Sequence, residues 1–283
     1  MKVYSKRLEI SQAVANLRKS GKTLGFVPTM GALHKGHASL IDFALAQQCD
    51  IIIVSIFVNP TQFNNTEDLA LYPRTLEADI EFLKPYSEKV FVFAPDSREV
   101  YGEEIKSKDY DFAGLDKVME GASRPGHFEG VATVLSHLFE IVRPDKAFFG
   151  EKDFQQLQII KKFVEIEAIP VKIIGAPINR NEDGLAQSSR NVRLNSEYKR
   201  AAPFIYQILK QVKADFSLKT TADLKDWVRQ QFENHELLRL EYFEIADART
   251  LKPTGNNQKS SDIRAFIAVF AGDVRLIDTL ALT

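Results

Sequence analysis

Residues 51–58 read IIIVSIFV, a β-branched run with almost no polar interruption. A strand with one wet face alternates polar and apolar residues, so this run suits a parallel strand covered on both faces. Before it, residues 37–48 carry Leu40, Ile41, Ala44 and Leu45 at helical spacing, and residues 23–28 (TLGFVP) read as a short apolar strand. Residues 11–19 are helical. After it, the pattern predicts a helix over 75–83, a strand over 89–93 and a helix over 130–142 ended by Arg143-Pro144. A strand over 147–149, a helix over 154–167 and a strand over 171–174 follow. Repeated β-α-β units joined by right-handed crossovers predict an α/β fold, a doubly wound, Rossmann-like parallel sheet with ligands at the carboxyl ends of its strands.

Beyond about residue 178 the rhythm changes. Helices are expected over 196–213, opened by a Ser196 cap, and over 221–234. Strand candidates follow at 242–246, 263–269 and 274–278, with Ala271-Gly272-Asp273 as a hairpin turn. Residues 254–262 (TGNNQKSSD) read as a polar loop. The expected division is a larger domain over 1–178 and a smaller C-terminal α+β domain over 179–283.

Of the 283 residues, 45% are hydrophobic and 27% charged, enough apolar material for a self-sufficient core. Basic and acidic residues number 37 and 38, so no global positive field would draw the chain onto nucleic acid or an anionic membrane. No stretch approaches the roughly 18 apolar residues of a membrane span. The opening MKVYSKRLEISQAV has basic residues but no apolar run behind them, so a cytoplasmic location is expected. Cys49 is the only cysteine, which excludes an internal disulfide, and it reads as a small buried thiol.

Residues 28–37, PTMGALHKGH, lie directly after a strand and open a helix. Pro28 ends the strand and Gly31 lets the chain turn. His34 and His37 are three apart, so on a first helical turn they point the same way. Gly36 removes a side chain where a flat ring could rest on the backbone, and a helix start favours anions. Together these describe a nucleotide-phosphate site. The same histidines could ligate a metal, although no acidic or third histidine partner lies nearby, or could be unrelated surface residues. Neither G-x-G-x-x-G nor G-x-x-x-x-G-K-[ST] occurs, which argues against a dinucleotide fingerprint and a P-loop.

Further blocks carry polar chemistry at strand ends. In SIFVNPTQF (55–63), Asn59 and Gln62 offer donors and acceptors suited to a hydroxy acid; the alternative is an Asn-Pro turn with Gln62 solvated. In FFGEKDFQQL (148–157), Lys152 supplies a mobile point charge for a phosphate chain, where the alternative is a surface Lys-Asp pair at a helix start. In DGLAQSSRN (183–191), two hydroxyls and a guanidinium fork can bind pyrophosphate, where the alternative is an ordinary polar turn.

With YPRTLEADI (72–80) and RPGHFEGV (124–131), these blocks in this order resemble the pantoate–β-alanine ligases, a family within the H-x-G-H nucleotidyltransferases that include class I aminoacyl-tRNA synthetases. The resemblance implies an ATP site made of Met30, Gly31, Ala32, Leu33, His34, Lys35, Gly36, His37, Gly150, Glu151, Lys152, Asp153, Asn179, Gln187, Ser188, Ser189 and Arg190. It implies catalytic roles for His34, His37, Lys152, Ser188, Ser189 and Arg190. By the same resemblance Gln62 and Gln156 bind pantoate, Gln62 borders the β-alanine site, and Asn59 shapes the pocket. Asp79 matches a position associated with Mg²⁺, against the alternative of a solvated helix-face carboxylate. Arg124 and His127 would wall the pantoate pocket, unless His127 caps the helix that follows. Gln187 departs from the family's usual apolar residue, commonly methionine, and is expected to contribute backbone contacts. The implied reaction joins pantoate to β-alanine with ATP through a pantoyl-adenylate, in a homodimer whose smaller domain closes over ATP. Another H-x-G-H nucleotidyltransferase and a non-catalytic nucleotide-binding protein are the competing readings.

Overall fold

The apolar run at 51–58 forms β3 (Ile51–Ile56), which pairs in parallel with β2 (Leu24–Thr29) on one side and β4 (Val90–Phe93) on the other. Successive residues of a strand face opposite sides of the sheet. Ile52, Ile53 and Val54 are nevertheless all buried, so both faces are covered. The computed structural model describes residues 1–63, 69–255 and 262–283.

Strands β1 (Lys2–Tyr4), β5 (Lys146–Gly150) and β6 (Lys172–Ala176) complete a six-stranded parallel sheet in the order β1-β4-β3-β2-β5-β6. On one face, Ile41 and Ala44 of the helix Lys35–Ala46 pack with Val27, Ile52, Val54 and Phe148. The helix His127–Val142 is buried along most of its length, and its Phe139 ring meets Phe26 edge-on with centroids 6.0 Å apart. Chain order reverses between β2 and β5: β3 and β4 lie to one side and β6 to the other. That reversal is the switch point where a doubly wound sheet opens a crevice. Here β2 and β5 pair only through Gly25 with Lys146 and Phe26 with Ala147, although β2 runs on to Thr29 and β5 to Gly150.

The chain forms two compact units. The first comprises Met1–Gly150 and Gln156–Ala176; the second comprises Pro177–Thr283 and the short segment Glu151–Gln155. In the second unit β7 (Leu238–Asp247), β8 (Ile263–Ala271) and β9 (Val274–Ala281) make an antiparallel sheet with β8 in the centre. Gly272 and Asp273 join β8 to β9, with Gly272 at φ +62°, as a two-residue hairpin of right-twisted strands requires. The helices Phe204–Asp215 and Thr221–Glu233 bury Leu209, Val212, Leu224 and Val228 in a core shared with Ile245, Ile267 and Val269.

The expected fold class is therefore the one found, a parallel α/β sheet with a smaller α+β unit. Local differences have local causes. The helix expected over 196–213 is two helices, Ser196–Ala201 and Phe204–Asp215, with Pro203 at the start of the second, where a missing N–H is tolerated. Asn195, not Ser196, caps the first: its side-chain oxygen accepts from the N–H groups of Glu197 and Tyr198. Strand β7 is longer than expected because a register shift between Leu240 and Tyr242 breaks its alternation. The three-residue β1 and the five-residue helices Ser97–Tyr101 and Met119–Ser123 are too short to leave a periodic signal. Of the polar loop expected over 254–262, residues 256–261 lie outside the described residues.

Cys49 is buried, and burial pushes its thiol pKa up, which leaves little thiolate. Among the described residues, no helix is long and apolar enough to cross a membrane. Leu209 is fully buried in the second unit's core. Leu209→Ala is expected to lower the unfolding free energy by about 3 kcal/mol, read as a shifted urea midpoint.

Candidate functional site

Residues 30–34 leave β2 at the crevice. Gly31 and Ala32 both adopt positive φ, +82° and +51°. A Cβ on Gly31 would stand 3.0 Å from an Asp79 carboxylate oxygen and 3.2 Å from Ile56, so glycine is favoured on both conformational and steric grounds. The loop is held by two acceptors. Thr29 Oγ1 donates to the Ser55 carbonyl at 2.7 Å and accepts from Gly31 N–H at 3.2 Å. Asp79 accepts from Ala32 N–H at 3.1 Å, from Leu33 N–H at 2.7 Å and from the Thr75 hydroxyl at 3.2 Å.

The loop delivers the two histidines onto the first turn of the helix Lys35–Ala46 as a reciprocal cap. His34 Nδ1 accepts from Gly36 N–H at 3.1 Å, and His37 Nδ1 accepts from His34 N–H at 3.2 Å. Capping boxes ordinarily use a hydroxyl or carboxylate. With Nδ1 accepting in both rings, the proton of each neutral imidazole resides on Nε2 and makes that nitrogen a donor. The ring centroids are 4.1 Å apart. The two rings are thus close neighbours, and backbone capping is what places them side by side.

Asp79 does not fit the role of a resident Mg²⁺ ligand. It is 2% exposed, and both carboxylate oxygens accept hydrogen bonds from the loop it supports. Among the described residues, no group of three or more His, Cys, Asp or Glu side chains converges as a metal site. The solvated alternative is corrected as well, because Asp79 faces inward.

Asn59 is also occupied. It is 1% exposed, its amide donates to Gln62 Oε1 at 3.1 Å and to the Gly130 carbonyl at 3.2 Å, and its oxygen accepts from the Thr61 and Tyr101 hydroxyls. It fixes Gln62 rather than facing a ligand. The Gln62 amide nitrogen lies 3.0 Å from Met30 Sδ, which brings Gln62 beside the turn leading to His34. His127 Nδ1 lies 2.8 Å from the Gln62 carbonyl, and the residue capping its helix is Gly126, so His127 steadies Gln62 instead of capping. Gly130 permits the close approach: a Cβ there would sit 2.3 Å from the Thr61 carbonyl oxygen. Tyr101, which no motif singles out, completes this network. Burial pushes its pKa up to about 12, which keeps the phenol a donor. Gln156 belongs to the same unit and is half-buried.

The remaining candidates follow Gly150. A 3-10 turn, Glu151–Asp153, carries Lys152, whose ammonium lies 3.2 Å from Asp153. In the second unit the Gln187 N–H donates to the Asn179 carbonyl at 2.9 Å, and the Gln187 side chain bonds to Asn181. Both bonds are internal: the Gln187 N–H and side chain tie Asn179 and Asn181 to the start of the Ser188 turn. Ser188 caps the turn Ser189–Arg193 by accepting from Arg190 N–H at 3.3 Å. Strand β9 packs against both turns, so Lys152–Asp153 and Ser188–Arg190 share one support. Two ion pairs reinforce it. Arg180 makes a bidentate bond to Asp278 of β9, at 2.6 and 2.8 Å, and Arg264 of β8 bonds to Glu151 at 3.1 Å. Charged residues inside otherwise apolar strand runs were the available signal for Asp278 and Arg264.

An order-reversing parallel sheet whose crevice receives a histidine-capped helix start defines a Rossmann-like enzyme of the H-x-G-H nucleotidyltransferase class. Comparison with known proteins narrows the class. The family model described as Pantoate-beta-alanine ligase matches residues 2–281, and the chain belongs to that family. The pantothenate synthetase of Christiangramia forsetii is 51% identical over 282 residues, covering 100% of this chain and 99% of its own. That of Flavobacterium psychrophilum is 46% identical over 282 residues, covering 100% of both. Among solved structures, pantothenate synthetase from Thermus thermophilus superposes with a TM-score of 0.91 at 36% identity, covering 100% of this chain and 99% of that one. The pantoate–β-alanine ligase of Francisella tularensis, solved in complex with "Beta-gamma ATP" and β-alanine, superposes with a TM-score of 0.80 at 36% identity, over 100% and 98% of the two chains.

Asp79→Asn would turn an amide donor toward one of the loop N–H groups. The expected result is a loss of about 1–3 kcal/mol of stability. Urea unfolding reads it, and an unchanged midpoint would show that the carboxylate does not hold the loop.

Proposed function

We propose that the protein condenses pantoate with β-alanine to form pantothenate, using ATP and passing through a pantoyl-adenylate. The observation that carries this reading is the reciprocal histidine cap where β2 leaves the switch point. It sets two imidazole rings, with centroids 4.1 Å apart, on one helix start, an arrangement suited to a polyphosphate.

In the first step a pantoate carboxylate oxygen attacks the α-phosphorus, the bond to the bridging oxygen breaks, and pyrophosphate leaves. In the second the β-alanine amine attacks the acyl carbon, the carbon–oxygen bond to AMP breaks, and the nitrogen gives up a proton. Charge moves onto phosphate oxygens in the first step, so the enzyme needs positioned donors more than a nucleophile. His34, His37, Lys152, Ser188, Ser189 and Arg190 are assigned to that task. The backbone from Met30 to Gly36, with Gly150, Asp153, Asn179 and Gln187, would receive the rest of the nucleotide. Gln62 and Gln156 would take pantoate, with Gln62 held on one side by Asn59. Magnesium would come with ATP, held by phosphate oxygens and water, since Mg²⁺ dehydrates reluctantly and often uses substrate phosphates as ligands. A homodimer working in the cytoplasm belongs to the same proposal and rests on family membership.

Pyrophosphate release from Mg–ATP tests the reading. It is expected to need pantoate, and AMP with pantothenate is expected to follow once β-alanine is added. ATP binding without pantoate-dependent pyrophosphate would move the search to another acid. His37→Ala and Lys152→Ala are each expected to slow adenylation by about 100-fold, roughly 3 kcal/mol. Gln62→Ala and Gln156→Ala should raise the KM for pantoate more than that for ATP, and the reverse ranking would refute the assignment.

A further inference from the structure

Glu151–Gln155 groups with the second unit, although the chain on both sides of it belongs to the first. The contacts explain why. Arg264 and Phe266, two apart on β8, share one face of the central strand. The Arg264 guanidinium stacks over the Phe154 ring, 4.0 Å from its centre, and bonds to Glu151 at 3.1 Å. Phe266 meets the same Phe154 ring with centroids 6.0 Å apart. One strand thus grips the residues on both sides of Lys152-Asp153.

The grip is a poor device for stability alone. Arg264 is 8% exposed, and its Nε has no hydrogen-bond partner among the described residues. The buried guanidinium loses hydration that its attraction to the partly exposed Glu151 only partly restores, and apolar replacement of such a group is often neutral. What a guanidinium does supply is a planar group that lies flat on a ring while bonding a carboxylate at its edge, which fixes direction. Lysine could not do both.

We propose that Arg264 is a positioning residue for adenylation, acting through Glu151 and Phe154 to hold the turn that presents Lys152 to the phosphates; this rests on the role given to Lys152 above. Arg264 touches no reacting atom. It keeps a long, mobile cation on a rooted base, so its removal affects transition-state placement more than substrate affinity. Misplacing a reacting group on the order of 1 Å costs up to about 100-fold in rate.

The test is a double-mutant cycle on pantoate-dependent pyrophosphate release by the full chain, with thermal midpoints recorded for each variant. Arg264→Met keeps the stem's bulk, and Glu151→Gln, at a partly exposed position, removes the charge from the other side. Each is expected to lower kcat by about 10-fold or more, with the KM for pantoate unchanged and the fold retained. In a Lys152→Ala background the further loss from either substitution should shrink to less than about 2-fold, because coupled groups are not additive. Should Arg264→Met fail to fold, the Glu151→Gln arm decides by the same criterion. An undiminished loss in the Lys152→Ala background would overturn the proposal while leaving Lys152 its role. A harmless Lys152→Ala would overturn both.

Discussion

Strands β2 and β5 pair over two residues each and then part. Right-handed crossovers carry the chain outward from this junction in opposite directions, which leaves a gap at the strands' carboxyl ends. The turn from Met30 to His34 and the turn after Gly150 are what the two parting strands deliver. Were β2 and β5 paired to their ends, Thr29 and Gly150 would close the opening through which the first unit's functional groups emerge. The left-handed residues Gly31 and Ala32, the buried carboxylate beneath them and the paired imidazoles are all arrangements for turning the chain sharply at that edge.

The sheet was legible because apolar runs such as Ile51–Ile56 announce two-sided burial, and the helices between them keep a clear period. The histidines were legible as a pair but not as a cap. Their ring-to-backbone bonds depend on positive φ at Gly31 and Ala32, and one of those residues is an alanine that carries no sequence signal for it. Asp79 shows the opposite limit. A carboxylate on a short helix reads equally as a ligand or a solvated charge, and only the approach of that helix to the loop at 31–33 reveals an inward acceptor. Tyr101 and Asn59 are far apart in sequence, so no local pattern could link them.

Polar side chains in the crevice region therefore divide by what they bond. Asn59, Asp79, Tyr101 and His127 are committed to backbone or to other side chains, and they set the places of Gln62 and the residues from Ala32 to His34. Such supporting residues sit in the same motifs as the groups they support, and a motif alone cannot separate the two. Hydrogen-bond accounting can, because a buried carboxylate with both oxygens bonded to the protein is poorly placed for a hydrated cation.

The partition of Glu151–Gln155 bears on dissection of the polypeptide. The backbone crosses between units after Gly150, after Gln155 and after Ala176, so no single cut yields both units whole. A fragment ending at residue 176 would carry Glu151 without Arg264 and Phe154 without Phe266, a charge and a ring exposed by truncation. The complementary fragment would keep a buried guanidinium with neither counter-ion nor aromatic seat. The first fragment would hold every residue of its own unit and the second would lack five of its own, so the second unit is not encoded by one continuous stretch.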